Sequence, residues 1–180
     1  MTVSPARTAL IVVAGAARHV LAPWRRRFDS GAVTRRIPPH ITILFPFVRY
    51  VDVDAELLER LRVLYAPVAP FEYALASVQR FPTVAWLAPD PATPFLALIE
   101  RTSAAFPEHP PYGDPSLDPV PHCSIGIVDD PGSLDAIVRE LEAGLEDVLP
   151  IGCTADAMTL LEERLDGRWS VRATFPLQGA

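Results

Sequence analysis

A chain of 180 residues that is 49% hydrophobic and 21% charged is long enough for one domain with a full core, and too apolar for an extensive disordered segment. Its formal charge of −6 argues against holding long nucleic acid by counterion release, and its two Cys, Cys123 and Cys153, form no Cys-x-x-Cys pair and read as buried thiols. The charge is uneven: through residue 62 ten Arg face five acidic residues, the remainder carries six Arg against seventeen, and Lys is absent.

Arg7 to Ala14, rich in Val, Ile and Leu, reads as a buried strand. It falls well short of the roughly 20 residues that cross a bilayer and does not read as a leader, so the expected compartment is the cytoplasm, with no membrane partner. Ala17, Val20, Leu21, Trp24 and Phe28 then fall on one helical stripe, with Pro23 implying a kink or a late start and Arg25, Arg26 and Arg27 forming a solvated face. Asp29-Ser30-Gly31 breaks the pattern, and Ile37-Pro38-Pro39 forces an extended approach to a strand from His40 to about Phe45.

Asp54 is a plausible N-cap for a helix whose apolar face is Leu57, Leu58, Leu61 and Leu64, stopped by Pro67 and Pro70. Phe71 to Phe81 and Thr83 to Leu87 read as a hairpin about Pro82, followed by a helix from about Pro94 to Ala105. The proline-rich stretch from Phe106 to Pro121 reads as a long ordered loop delivering a second strand, His122 to about Val128. A turn at Asp129-Asp130-Pro131-Gly132 leads to a helix capped by Ser133, with Leu134, Ile137, Val138, Leu141 and Leu145 on its buried stripe. Two final strands, about Ile151 to Arg164 and Arg168 to Leu177, flank the hairpin signal Asp166-Gly167.

One short phrase occurs twice: Pro39-His40-Ile41-Thr42 and Pro121-His122-Cys123-Ser124. Strand alternation puts His40 and Thr42 on one face, likewise His122 and Ser124, with Ile41, Ile43, Cys123 and Ile125 turned inward. Each His strand leads into a helix and a hairpin, which suggests two similar lobes, approximate halves 1–88 and 89–180 with strand interchange possible, whose sheets face each other across a cleft. Two imidazoles meeting there suit general acid and base work, with two hydroxyls donating to an anion between them. Phe45, Phe81, Trp86 and Tyr112 are the candidate aromatics for a base, although each alone reads more simply as core, and Arg49 and Arg80 read as surface. The Arg of the first third are placed to guide an anion toward His40.

The segment Pro38-Pro39-His40-Ile41-Thr42-Ile43-Leu44-Phe45-Pro46-Phe47 and its second copy resemble the two His-x-[Ser/Thr]-x motifs of the 2H phosphoesterase superfamily, the 2′-5′ RNA ligase-like family. Cys123 departs from the aliphatic residue more usual there. The resemblance covers most of the chain and implies a single bilobal α+β domain, with two antiparallel sheets facing a central cleft and helices outside. It also implies cleavage of a cyclic nucleotide-type phosphodiester, or joining and cleavage of a 2′-5′ RNA linkage. His40 and His122 would be catalytic, Thr42 and Ser124 would bind the phosphate, and no metal or cofactor would be needed. The expected partner is a small nucleotide or short RNA end, and the expected state a monomer. The residues leave open which His is base and which acid, and whether the reaction is hydrolysis or ligation. Two other readings are a nucleotide-binding module that has lost catalysis, and a metallohydrolase combining both His with Asp129; the latter lacks a His-x-x-x-His ligand set.

Overall fold

Strand β1 (Thr8–Val13) is buried on both faces: Leu10 and Val12 enter the main core, while Ala9 and Ile11 meet Leu161 and Trp169 on the other side. It is an inner strand of its sheet in the protein's computed structural model, which describes residues 7–179. After it come α1 (Arg18–Phe28), α2 (Ser30–Thr34), β2 (His40–Leu44), α3 (Ala55–Tyr65), β3 (Phe71–Arg80), β4 (Val84–Asp90) and α4 (Thr93–Ala105). The second half supplies β5 (Cys123–Ile127), α5 (Leu134–Leu145), β6 (Ile151–Ala155), β7 (Ala157–Glu163) and β8 (Trp169–Pro176).

The strands form two four-stranded antiparallel sheets, ordered β2-β1-β7-β8 and β5-β4-β3-β6. The two motif strands therefore occupy corresponding edges, and each sheet takes two strands from each half of the chain. Helices α3 and α4 pack on the first sheet, α1 and α5 on the second, around one continuous core. The architecture is α+β with a pseudo-twofold pairing of sheets.

Asp54 caps α3 as expected, its carboxylate accepting from the Leu57 N–H at 2.8 Å. Several details differ from the sequence expectations. Asp29 does not end the helical region but starts α2, accepting from the Ala32 N–H at 3.3 Å. The late start that Pro23 offered does not occur, because α1 begins at Arg18 with Pro23 inside it. Arg25 is not part of a solvated face; it is 5% exposed, because its guanidinium turns inward to the Ile37 carbonyl and Asp29. Ser133 makes no side-chain cap; Asp130 accepts from the Gly132 N–H instead.

The stretch expected as one strand from Ile151 is two. Ile151, Cys153 and Ala155 alternate into the core beside β3, and after Asp156 the continuous buried run Met158–Leu161 joins β1 in the other sheet. The change from alternating to continuous burial marks the crossing, since β7 is covered on both faces and β6 on one.

Candidate active site

In β2, Ile41 and Ile43 are buried in the main core, which turns His40 and Thr42 to the opposite face, where they sit beside Val13 and Ile11 in register. In β5, Cys123 and Ile125 are buried, leaving Ser124 half-buried opposite Trp86. The edges β2 and β5 pack against each other, and the Cys123 sulfur lies within hydrogen-bond reach of the His40 main chain. Burial pushes that thiol up to about 12, so it is neutral and unreactive at physiological pH.

Both imidazoles are held by one local device. His40 Nδ1 contacts the Pro38 carbonyl at 2.7 Å, and His122 Nδ1 contacts the Val120 carbonyl, also at 2.7 Å. A carbonyl only accepts, so each neutral ring carries its proton on Nδ1 and leaves Nε2 as a hydrogen-bond acceptor. In both copies the intervening residue is proline, whose fixed φ and missing N–H leave the preceding carbonyl turned to the ring. His40 Nε2 already receives the Thr42 hydroxyl at 3.2 Å.

His40 is pushed down from 6.5 to about 4, first by burial; the Pro38 carbonyl opposes the shift, while the positive charges of Arg25 and a protonated His122 add to it. Burial also lowers His122, with the Val120 carbonyl working against the shift.

Four aromatic candidates surround these groups in distinct ways. Phe81 presents an edge-on ring 5.0 Å from His122 and stacks on Trp86 at 4.9 Å, a wall that fixes the imidazole plane. Trp86 is 8% exposed, so it supports this wall and offers little free surface. Tyr112 adopts a left-handed φ of 56° in the proline-rich loop, its main-chain N–H bonded to the Phe45 carbonyl at 2.6 Å and its phenol directed at the Thr42 hydroxyl. Phe45 lies with Arg7 over its ring, 5.0 Å from the centroid. Arg49 and Arg80 are on the surface, paired with Asp52 and Asp135.

Beside His40 and Thr42 opens a basin of about 310 Å³ with an apolar floor that includes Ile11, Phe45 and Trp169, and with Arg7 and Arg35 at its side. The sequence named the two Arg only collectively, among those of the first third, and gave no sign of Trp169. Trp169 comes from β8, and its main-chain N–H donates to the Arg35 carbonyl at 2.8 Å; only the non-local placement of the last hairpin brings it here. Among the described residues no three His, Cys, Asp or Glu side chains converge as metal ligands, and Asp129 joins neither His in such a group. No helix among them is long and apolar enough to cross a membrane.

The family model of the 2′-5′ RNA ligase superfamily matches residues 13–167. A Geobacillus kaustophilus (strain HTA426) protein, GK0864, provisionally named a phosphoesterase, is 31% identical over 160 residues, 87% of each chain. Among solved structures, E. coli LigT complexed with 3′-AMP aligns with a TM-score of 0.60 at 15% identity, over 97% of this chain and 99% of that one. TT0787 of Thermus thermophilus aligns at 0.59 and 19% identity, over 96% and 98%. Two motif strands at matching sheet edges, a family model spanning most of the sequence and a relative this similar agree: the chain belongs to the 2′-5′ RNA ligase superfamily, the 2H phosphoesterases.

Proposed function

We propose that this protein cleaves a cyclic nucleotide-type phosphodiester, or the 2′,3′-cyclic or 2′-5′ end of a short RNA, by general acid–base catalysis between His40 and His122. The observation that carries the reading is the repeated imidazole device: two half-buried rings on adjoining strand edges, each with Nδ1 tied to a carbonyl and Nε2 unblocked by backbone. LigT has been crystallised with 3′-AMP and with NADP+, which supports a nucleotide as the occupant here too.

His40 is the base. Burial, Arg25 and the opposing imidazole all resist a proton on it, so its Nε2 lone pair is available at neutral pH. Water, or a ribose hydroxyl, attacks phosphorus while its proton passes to His40 Nε2; the bond from phosphorus to a ribose oxygen breaks, and His122 Nε2 protonates that oxygen. The phosphodiester anion between the rings raises the affinity of His122 for the proton it must bring. Ser124, and Thr42 once its hydroxyl turns from His40 Nε2 to the phosphate, donate to the non-bridging oxygens as their charge grows; losing one such donor costs about 2.7–4 kcal/mol of barrier. Tyr112 holds the Thr42 hydroxyl in line, and Phe45, Phe81 and Tyr112 offer the base its apolar contact. Both proton transfers use side chains alone, so the step needs no metal.

The test is turnover of 2′,3′-cyclic nucleotides, ADP-ribose 1″,2″-cyclic phosphate and 2′-5′-linked dinucleotides with a strong chelator present. The expected result is activity on at least one of them, reduced about 10²- to 10⁴-fold by His40→Ala or His122→Ala in proteins that remain folded. Full activity in both variants, or activity abolished by the chelator, overturns the reading.

A further inference from the structure

Ile37 separates the basin beside His40 from a second one, of about 290 Å³, lined by Arg18, Arg25, Arg26, Arg36, Pro38 and Pro39. Among the described residues no acidic side chain lines it. Arg18, Arg26 and Arg36 are exposed, and none forms a salt bridge among the described residues. Arg25 makes the rear wall at 5% exposure; its terminal nitrogens reach the Ile37 carbonyl and Asp29, while its Nε has no hydrogen-bond partner among the described residues. Three guanidinium groups that meet no counter-ion among the described residues, gathered around a fourth that Asp29 pairs with at 3.8 Å, repel one another in a protein whose overall charge is −6.

Arg36 adds a second, independent sign. It follows α2 with φ 62°, its main-chain N–H bonded to the Val33 carbonyl at 3.0 Å, and the next N–H, from Ile37, bonded to the Ala32 carbonyl at 2.9 Å. That is the Schellman ending of a helix, and the residue in this left-handed position is usually glycine, which has no Cβ to strain. Here the strained position carries a long cation pointing into the basin. The prolines at the basin's edge place it one residue from His40, whose Cα is about 3.8 Å from that of Pro39 across a trans peptide.

We propose that this basin is a second phosphate-binding site, taking a phosphate other than the one that reacts. The inference deepens the proposed function and rests on it for the identity of the substrate. A guanidinium fork matches the geometry of a phosphate, and the unpaired fraction of the cluster is what a polyanionic ligand would neutralise. The occupant argued for is the neighbouring phosphate of an oligonucleotide whose end lies between the imidazoles; free inorganic phosphate has the same chemistry.

The test is equilibrium binding to the full chain of a tetranucleotide 3′-phosphate and a nucleoside 3′-phosphate, in wild type, Arg36→Gly and Arg18→Gln/Arg26→Gln. The tetranucleotide should bind wild type more tightly than the nucleoside does. Each variant should weaken the tetranucleotide by about tenfold or more, and its salt dependence by about 0.7 in log–log slope per Arg removed, with nucleoside affinity unchanged. Arg36→Gly relieves the strained backbone, so its thermal stability should equal or exceed wild type, which separates lost binding from lost folding. Tetranucleotide binding unchanged in both variants overturns the site. Equal binding of tetranucleotide and nucleoside, with inorganic phosphate retained by wild type and lost from Arg36→Gly, assigns the site to the free anion and refutes the oligonucleotide. None of these measurements needs turnover, so inactivity toward cyclic phosphodiesters would reject the proposed reaction without touching this result.

Discussion

The coupling between His40 and acid stability is the most direct consequence of the site's geometry. The ring titrates at about 4 in the folded protein and near 6.5 in an unfolded chain. Between those values the unfolded chain binds a proton that the folded one refuses, so the stabilisation is complete above about pH 6.5 and is lost as the pH falls toward 4. At pH 4.5 that linkage removes about 2–3 kcal/mol relative to pH 7.5, a large fraction of an ordinary domain's stability. His40→Asn keeps a donor for the Pro38 carbonyl and takes away the titration. Urea unfolding of wild type and His40→Asn at both pH values isolates the effect, since every other acid-titrating group is shared. The acid-induced loss should be about 2–3 kcal/mol smaller in His40→Asn. Equal losses in the two proteins would show that burial, Arg25 and His122 do not hold this imidazole neutral, and would remove the ground for assigning it as the base.

Two further outcomes follow from particular contacts. A phosphodiester with a nitrophenyl leaving group needs no proton on departure, so His122→Ala should retain activity within about tenfold of wild type on it, while His40→Ala should still lose about 10²- to 10⁴-fold; the reverse pattern in steady-state kinetics would exchange the two roles. Gly144 in α5 lies against the Trp24 ring so closely that an added Cβ would fall within it. Gly144→Ala should therefore destabilise by about 1–3 kcal/mol of overpacking, against the roughly 1 kcal/mol that helix propensity would return; a higher melting temperature for this variant would contradict that packing.

Much of the site was legible because strand alternation is local. Ile41, Ile43, Cys123 and Ile125 are all buried, so the faces of His40, Thr42, His122 and Ser124 followed from the sequence without knowing what lay opposite. The proline before each His was visible as a repeat, but its use was not: the bond from Nδ1 to the carbonyl two residues back depends on backbone angles that a sequence does not state. Arg25 shows the limit of periodicity. Its place on α1 matched a solvated stripe, and only the arrival of Ile37 and Asp29 against it turns the side chain inward.

The amino-acid order by itself determined the two motif strands, the inward and outward faces of each and most of the helices, because these depend on residues a few positions apart. Tertiary structure alone decided that the strand after Ile151 breaks at Asp156 and serves both sheets, that Trp169 closes the basin beside His40, and that four Arg converge behind Pro38 and Pro39. Those outcomes depend on which distant strands pair and which helix packs on which edge, and such long-range choices are fixed by burial of the whole core rather than by any local signal.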